Sequence, residues 1–362
     1  MLRLYNRKSR GGPARHPYHR PCAGCSRLRY PVTAVLTKQR HMSHHTLLSF
    51  SPEVLQARAN RQPVVALEST IITHGMPWPQ NLETACQVEA EVRNAGCVPA
   101  TIALMGGRIQ IGLDEPALHR LARASPVMKV SRADIAACLA GGHTGATTVA
   151  ATMICAHLAG IAVFATGGIG GVHRGADTSF DISADLREFS QTPVTVVAAG
   201  AKAILDLPKT LEVLETLGVP VITVGQDDFP AFWSRSSGLL SPLRMNTARE
   251  IAAAHLMRET LSLGGGQLVG NPIPMADEIS REELAPVIQQ ALLEADASRI
   301  VAKRVTPFLL QRINELTQGR SLAANIALVL NNARLAAAIA IEIIALNETS
   351  GRPAQELFDV RG

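Results

Sequence analysis

The chain has few of the features that would place it in a membrane. Its longest purely apolar run near the C-terminus covers residues 335–341, whereas a membrane helix needs about 20 apolar residues. Hydrophobic residues make up 47% of the 362 residues and charged residues 18%, which is the balance of a chain that buries a core rather than of a disordered one. We therefore predict a soluble globular protein without a membrane partner.

Cysteine is also scarce, and its spacing suits neither cross-linking nor metal binding. Of the six cysteines, only Cys22 and Cys25 are close together in sequence, and no second pair or His-x-His partner lies nearby. The other four are scattered through apolar segments, as the reduced structural thiols of a cytosolic protein are. The sequence therefore predicts no disulfide framework, and Cys22 and Cys25 are at most half a metal site.

Acidic residues are missing from the start of the chain. The first carboxylate is Glu53, and residues 1–41 hold ten of the 35 lysines and arginines. Without that segment, 25 basic residues face 30 acidic ones, so the remainder has a net charge of about −5 where the whole chain has +5. The basic excess is thus confined to one segment, and it gives little support for a nucleic-acid partner.

The basic segment, residues 1–45, is predicted to be a disordered leader or the product of a misassigned start. Its arginines and lack of acid are typical of a mitochondrial presequence, but its prolines and its missing apolar stripe are not. Met42 offers a second start, and we favour that interpretation together with a cytoplasmic location; a genuine presequence would make the protein mitochondrial. We expect residues 46–350 to fold as one domain even without residues 1–41, and residues 351–362 to be a tail.

From residue 63 onward, short β-branched runs alternate with helical patterns, as βα units around a parallel sheet do. Several runs are apolar throughout, which predicts strands buried on both faces. Beyond about residue 245 the pattern is almost wholly helical. We predict an α/β fold of three α/β/α layers with a largely parallel or mixed central sheet and a helical C-terminal part. The predicted strands are residues 64–67, 100–104, 127–130, 161–166, 194–198, 219–224 and 267–269, and the predicted helices are residues 81–94, 115–124, 148–158, 208–217, 247–263, 281–297, 307–317 and 321–346.

Ligands of open α/β sheets bind where the carboxyl ends of strands lead into loops, so polar residues after the predicted strands are candidates for a site. Glu68 follows one strand, where a carboxylate either transfers protons or caps the next helix. Lys129 and Arg132 follow another, where they either receive an anion or lie on a solvated rim. Lys202 follows a strand of small apolar residues, as a nucleophilic amine or a snorkelling side chain would. The residues alone leave the alternatives at Glu68 and Lys202 open, and they favour the solvated rim for Lys129 and Arg132.

Two glycine-rich segments are also candidates for a functional site. Residues 141–148 (GGHTGATT) open a predicted helix, where backbone N–H groups favour a phosphate, although no Walker motif is present. Residues 166–185 hold the run GGIGG, His173, Arg174 and three aspartates. Such a loop is costly to order, which indicates a functional lining rather than packing. Paired carboxylates without a basic cluster suit a hard divalent cation such as Mg²⁺ or Mn²⁺.

Together these segments resemble the pseudouridine-5'-phosphate glycosidase family, also called indigoidine synthase A-like, from about residue 50 to residue 347. The resemblance implies an enzyme that reversibly cleaves the C–C glycosidic bond of pseudouridine 5'-phosphate with water to give uracil and ribose 5-phosphate. It also implies an α/β/α fold, a homotrimer, and Mn²⁺ as the cofactor, with one divalent ion per subunit. The segments that carry the resemblance are VALESTIITHGMPWPQN, VPATIALMGG, KVSRAD, GATTVAATM, GIAVFATGGIGGVHRGADTSFDISADL, VVAAGAKAILDL, NPIP and TPFLLQRINELT.

The resemblance also implies roles for individual residues. It places the family's nucleophilic lysine at Lys202 in AGAK and its proton-transferring glutamate at Glu68 in ALEST. The metal-binding aspartate falls at Asp181 in FDISAD. The positions implied to contact substrate or to be polar members of the site are Lys129, Val149, Ser183, Ala184, Asp185, His173 and Asn325.

A C-glycoside has no leaving-group oxygen or nitrogen, so the two carboxylates of ordinary glycosidases do not suffice. In the chemistry that the resemblance implies, Lys202 attacks C1' and opens the ribose, and the imine lets the bond to uracil C5 break as in a reverse Mannich reaction. Two rival interpretations are a Schiff-base sugar-phosphate aldolase or isomerase and a non-catalytic nucleotide-binding regulator. Release of uracil from pseudouridine 5'-phosphate separates the three.

Overall fold

The computed structural model describes residues 44–300 and 305–349. In this part of the chain, an 11-stranded sheet is covered by helices on both faces, as the predicted three-layer α/β/α fold requires. The predictions on residues 1–43 and on the tail 351–362 lie outside the described residues. The strands are β1 Leu48–Phe50, β2 Val64–Leu67, β3 Val98–Met105, β4 Arg108–Ile111, β5 Met128–Val130, β6 Gly145–Thr147, β7 Val163–Ala165, β8 Thr195–Ala198, β9 Val221–Val224, β10 Leu243–Met245 and β11 Gln267–Gly270.

Most helices begin at a side-chain cap. Asp114, Thr148 and Asp206, for example, each accept a hydrogen bond from the backbone N–H three residues on, which satisfies a donor that the helix leaves free. The helices are α1 Pro52–Ala59, α2 Thr70–His74, α3 Gln80–Asn94, α4 Glu115–Arg123, α5 Ile135–Ala140, α6 Val149–Leu158, α7 Ala176–Ser179, α8 Ala184–Phe189, α9 Leu207–Thr216, α10 Ala248–Thr260, α11 Arg281–Ala297, α12 Val305–Leu316 and α13 Arg320–Thr349.

The sheet is mixed. Its strands follow the order β1-β4-β3-β2-β7-β8-β11-β9-β10, and every neighbouring pair from β3 to β10 is parallel. β4 runs antiparallel to β3, and β6 also pairs antiparallel with β3 and carries β5 with it. The sequence patterns did not predict the short strands β1, β4, β6 and β10, because three or four residues give too little periodicity to distinguish a strand from a loop.

The crossovers determine where the sheet opens. The helices α6, α8 and α9 lie on one face, whereas α3, α10 and α13 lie on the other. The chain leaves β2 toward one face and leaves its neighbour β7 toward the other. Such a change of direction leaves a crevice at the carboxyl ends of the two strands, and this is where open α/β sheets bind ligands.

α13 passes through the centre of its helical layer. By length and composition alone it could cross a membrane. The uninterrupted apolar runs of the sequence did not indicate this, because Asn332 and Arg334 interrupt them. In the structure, α13 packs on β2, β7 and β8, and the fully buried Asn332 donates to the carbonyl of Thr166 at 2.8 Å. These contacts are those of a core helix.

The cysteines of the described region are free thiols, as predicted. Cys97, Cys138 and Cys155 are buried and Cys86 is exposed. Burial raises the pKa of Cys97 and of Cys155 to about 12. These two thiols therefore stay protonated and unreactive at neutral pH.

Candidate active site

A cavity of about 450 Å³ lies at the carboxyl ends of β2, β7 and β8, at the crevice between β2 and β7. The structure brings together around it every residue that the resemblance implied for the site. The cavity's lining includes Glu68, Lys129, Val149, His173, Asp181, Ser183, Ala184, Asp185, Lys202 and Asn325. Residues that are up to 257 positions apart in sequence, the difference between 325 and 68, therefore share one space.

Glu68 directly follows β2, and two hydroxyls hold its carboxylate. Thr166, at the end of β7, donates to Oε1, and Thr70, at the start of α2, donates to Oε2. The N-cap of α2 is Ser69, so Glu68 does not have the helix-capping role that its position also allowed. Each carboxylate oxygen keeps a further lone pair, so Glu68 can still exchange a proton with a molecule in the cavity.

Lys202 reaches the cavity through a sharp turn after β8. Gly200 has φ +86°, and a Cβ there would lie 2.1 Å from the carbonyl oxygen of Pro230, so only glycine fits the turn. The Lys202 amine donates to the carbonyl oxygen of Gly168 at 2.6 Å. Lys202 is therefore a half-buried amine held at a cavity wall and not a side chain that snorkels into solvent.

The GGIGG run is ordered by a buried carboxylate. Asp185 is 6% exposed, and its two oxygens accept from the backbone N–H groups of Ala150 and Gly170, each at 2.9 Å. A Cβ on Gly170 would lie 2.3 Å from Ser183 Oγ, so the loop approaches α8 closely. Asp185 thus ties the glycine loop to the start of α6, and both of its oxygens are already engaged.

The three aspartates of the loop do not form the acid pair that their spacing suggested. Asp177 lies outside the cavity and forms an ion pair with Lys209 at 3.0 Å, while Asp185 is held by backbone donors. Asp181 also lines the cavity. Its carboxylate has no hydrogen bond or ion pair to another described side chain. In the described ranges, no three His, Cys, Asp or Glu side chains are grouped closely enough to hold a metal ion.

Neither Arg132 nor the glycines of residues 141–148 line the cavity, and Arg132 has the exposed rim position that was the alternative to anion binding. Arg132 is engaged by Glu188 through two hydrogen bonds, of 2.6 Å and 2.8 Å, and does not line the cavity. The glycines of residues 141–148 do not open a helix, because β6 intervenes, and α6 begins only at Val149 with Thr148 as its N-cap. Of residues 141–148, only Thr148 lines the cavity, next to Val149.

Positive charge in the cavity acts on two histidines. Burial lowers the pKa of His173, and Lys129 and Lys202 lower it further, whereas the carboxylate of Asp181 acts in the opposite direction. Burial and then Lys129 likewise lower the pKa of His74. Since an unperturbed histidine titrates near 6.5, both imidazoles are predominantly neutral at pH 7.

Lys129→Met is expected to raise the pKa of both His74 and His173, because removing a nearby positive charge favours the protonated imidazole. An NMR titration of metal-free protein measures both values. His157 is the matched control, because burial also lowers its pKa but the charge acting on it is that of Glu259. Unchanged titration of His74 and His173 in the variant would show that Lys129 does not set the potential of the cavity.

Several side chains of the site had no local signal in the sequence. Trp233 donates to the side-chain oxygen of Asn325 at 2.7 Å across 92 positions. Phe232, at φ +65°, packs so close to Gly168 that a Cβ there would lie 2.6 Å from the ring. Thr306 and Pro307 of α12 also line the cavity. Each of these contacts depends on the packing of distant elements, so no spacing rule could have found it.

The fold and the cavity define a three-layer α/β protein with a lysine and a glutamate at the opening between two central strands. The chain belongs to the indigoidine synthase A like protein family, whose model matches residues 53–342.

Curated relatives are similar over nearly their whole length. The pseudouridine-5'-phosphate glycosidase of Paracoccus denitrificans is 74% identical over 296 residues, which are 81% of this chain and 97% of the relative. The protein of the same name from Legionella pneumophila is 55% identical, over 82% of this chain and 96% of the relative.

Two solved structures share the fold. The prealnumycin C-glycosynthase AlnA, in complex with ribulose 5-phosphate, is 39% identical with a TM-score of 0.78, over 84% of this chain and 99% of that chain. An indigoidine synthase A-like protein from Thermotoga maritima is 34% identical with a TM-score of 0.76 over the same two shares.

Proposed function

We propose that this chain is a glycosidase that cleaves the C–C glycosidic bond of pseudouridine 5'-phosphate to give uracil and ribose 5-phosphate. The observation that carries the proposal is the placement of Lys202 and Glu68 in one cavity at the opening of the sheet. Relatives that are 55% to 74% identical to this chain are named for this activity. The complex of the C-glycosynthase with ribulose 5-phosphate supports a sugar phosphate as the ligand of the fold.

The reaction begins at the anomeric carbon. The amine of Lys202, in its neutral form, attacks C1' and displaces the ring oxygen O4', which takes a proton from Glu68. The ribose is then open, and C1' is bonded both to the lysine nitrogen and to uracil C5. This step needs an amine at the cavity wall and an acid after another strand at the same edge of the sheet, which are the positions of Lys202 after β8 and Glu68 after β2.

The C–C bond breaks in the second step. The secondary ammonium at C1' gives a proton to the Glu68 carboxylate, which delivers it to uracil C5. The freed nitrogen lone pair then expels uracil, so that an iminium remains between Lys202 and the open ribose. Water then adds to the iminium and releases ribose 5-phosphate as its aldehyde, which restores the amine. Overall, one water is consumed for each bond cleaved, and each step is reversible.

Lys129 and the N-terminus of α6 are suited to the phosphate. Lys129 lines the cavity together with Thr148 and Val149, which begin the ten-residue helix α6. A lysine charge and a helix N-terminus both favour a phosphate. Arg132, which would have competed for this role, is held by Glu188.

A divalent ion fits the site if a single carboxylate is its protein ligand. Asp181 offers one carboxylate, and a hard cation such as Mg²⁺ or Mn²⁺ accepts one carboxylate when waters or a substrate phosphate complete its shell. We propose Mn²⁺, one ion per subunit, held by Asp181. When bound, such an ion would neutralise negative charge on the substrate and organise water.

Treatment with EDTA is expected to abolish uracil release, and added Mn²⁺ to restore it. Asp181→Asn is expected to raise the Mn²⁺ concentration needed for half-maximal activity at least tenfold, because it removes the ligand charge. The matched control is Asp177→Asn. Asp177 lies outside the cavity, so this substitution should leave that Mn²⁺ concentration unchanged. Full activity in metal-free enzyme would contradict the requirement.

The proposal also includes a homotrimer in the cytoplasm. Phe180 and Ile182, which flank Asp181, are 81% and 45% exposed, and this supports a subunit contact beside the cavity. Light scattering coupled to size-exclusion chromatography measures the assembly directly.

The test of the activity is release of free uracil from pseudouridine 5'-phosphate, measured by reversed-phase chromatography. An aldolase or isomerase would instead act on a sugar phosphate that lacks uracil, and a non-catalytic regulator would bind the nucleotide without releasing the base. Failure to release uracil in the presence of Mn²⁺ would contradict the proposed function.

A further inference from the structure

A second cavity, of about 510 Å³, lies behind the wall that holds Lys202. In each of two segments, one residue lines the active cavity and the next residue lines the second cavity. His173 lines the active cavity and Arg174 the second one, and in the same manner Lys202 lines the first and Ala203 the second. Leu205 lines both. The two cavities are therefore back to back and share a wall.

The second cavity is positively charged. Arg174 and Arg281 line it, and neither has a carboxylate partner among the described residues. The lining carboxylate, Asp206, is already engaged, because Lys209 lies 3.1 Å from it and because it caps α9. Two guanidinium groups are thus left without a compensating charge on the walls of one concave space.

Arg281 is held in place. Its Nη1 donates to the carbonyl oxygen of Ser237 at 2.6 Å. Gly238 has φ +73°, and a Cβ there would lie 2.8 Å from Nη1, so the guanidinium rests directly on the glycine backbone. A guanidinium has five N–H donors, and one bond to a carbonyl leaves the others available to a ligand. This fixation lowers the entropy that binding would otherwise cost.

Much of the remaining lining of the second cavity is apolar. Leu205, Leu239, Leu284 and Ile288 form much of it. The volume is within the range of small-molecule sites, which combine apolar walls with a few placed polar groups. Arginine pairs in bidentate fashion with phosphate, and apolar side chains suit the faces of a base.

From these observations we propose that the second cavity binds a mononucleotide, with its phosphate on Arg174 and Arg281 and its base on the apolar side chains of the lining. This site is separate from the cleavage reaction and does not depend on it, because none of its charged residues lines the active cavity.

Adenosine 5'-monophosphate is a suitable probe, titrated into the full chain in a calorimeter. The double variant Arg174→Gln/Arg281→Gln is expected to bind one AMP fewer per chain than the unchanged protein, or to bind it at least tenfold more weakly at that site. The matched control is Arg120→Gln, an exposed arginine on α4 outside both cavities, which should leave binding unchanged. Equal thermal unfolding temperatures show that each variant is folded.

Inorganic phosphate is the second probe. If the base contributes, AMP binds the arginine site at least tenfold more tightly than inorganic phosphate does. Equal numbers of AMP sites with equal affinity in the unchanged protein and in the double variant would overturn the proposal, as would equal affinities for AMP and inorganic phosphate. Neither result bears on uracil release, which is measured separately.

Discussion

Lys202→Ala is expected to lower kcat for uracil release by roughly 10³- to 10⁶-fold, the range seen when a covalent nucleophile is removed. Substrate affinity should change only a few-fold, because Lys129, the α6 N-terminus and the rest of the cavity are untouched. The loss follows from the chemistry, since no other described lysine except Lys129 lines the cavity to form an imine with C1'. Steady-state kinetics and equilibrium binding of substrate separate the two effects.

Borohydride gives an independent measurement of the same step. Added during turnover, it is expected to reduce the iminium and leave ribose 5-phosphate on the enzyme through a stable secondary amine. Peptide mapping should place this adduct on the segment that contains Lys202. An adduct elsewhere, or an active Lys202→Ala enzyme, would refute the assignment.

Lys129→Ala is the matched control for the nucleophile, because it removes the other cavity lysine. It is expected to raise KM with a smaller change in kcat, since the charge at this position is proposed to hold the phosphate in both the ground state and the transition state. A loss of kcat as large as that of Lys202→Ala would mean that the proposed roles of Lys129 and Lys202 are wrong.

Glu68→Gln is expected to lower kcat by roughly 10²- to 10⁴-fold, the usual contribution of a positioned acid or base. Glutamine has nearly the same shape and still accepts a hydrogen bond from one of the two threonine hydroxyls that hold the carboxylate, Thr70 and Thr166. It has no proton to give to the ring oxygen, so ring opening should slow. Borohydride trapping should therefore fall in parallel with uracil release.

The control for this substitution is Glu83→Gln, an exposed glutamate on α3 outside the cavity. It should leave kcat and the unfolding temperature unchanged. Activity of Glu68→Gln within threefold of the unchanged enzyme would show that the proton comes from another group, and His74, which lines the same cavity, would be the next to test.

The sequence by itself determined the layers of the fold and the residues to inspect. Its alternation of short β-branched runs with helices predicted the parallel core of β3, β2, β7, β8, β11 and β9, because strands buried on both faces must be apolar throughout. It also placed Glu68 and Lys202 after strands, and the ends of parallel strands meet at one edge. The rule thus places both residues at the same edge of the sheet, and the structure shows that they share one cavity there.

Only the tertiary structure decided which charges are available. Arg132, Asp177 and Asp185 are as polar in sequence as Asp181, but Glu188, Lys209 and two backbone N–H groups engage these three. In the same way, the apolar α13 is a core helix because it packs on the sheet. A spacing pattern records which residues are near one another along the chain, whereas a charge is satisfied by partners that approach from elsewhere in the fold.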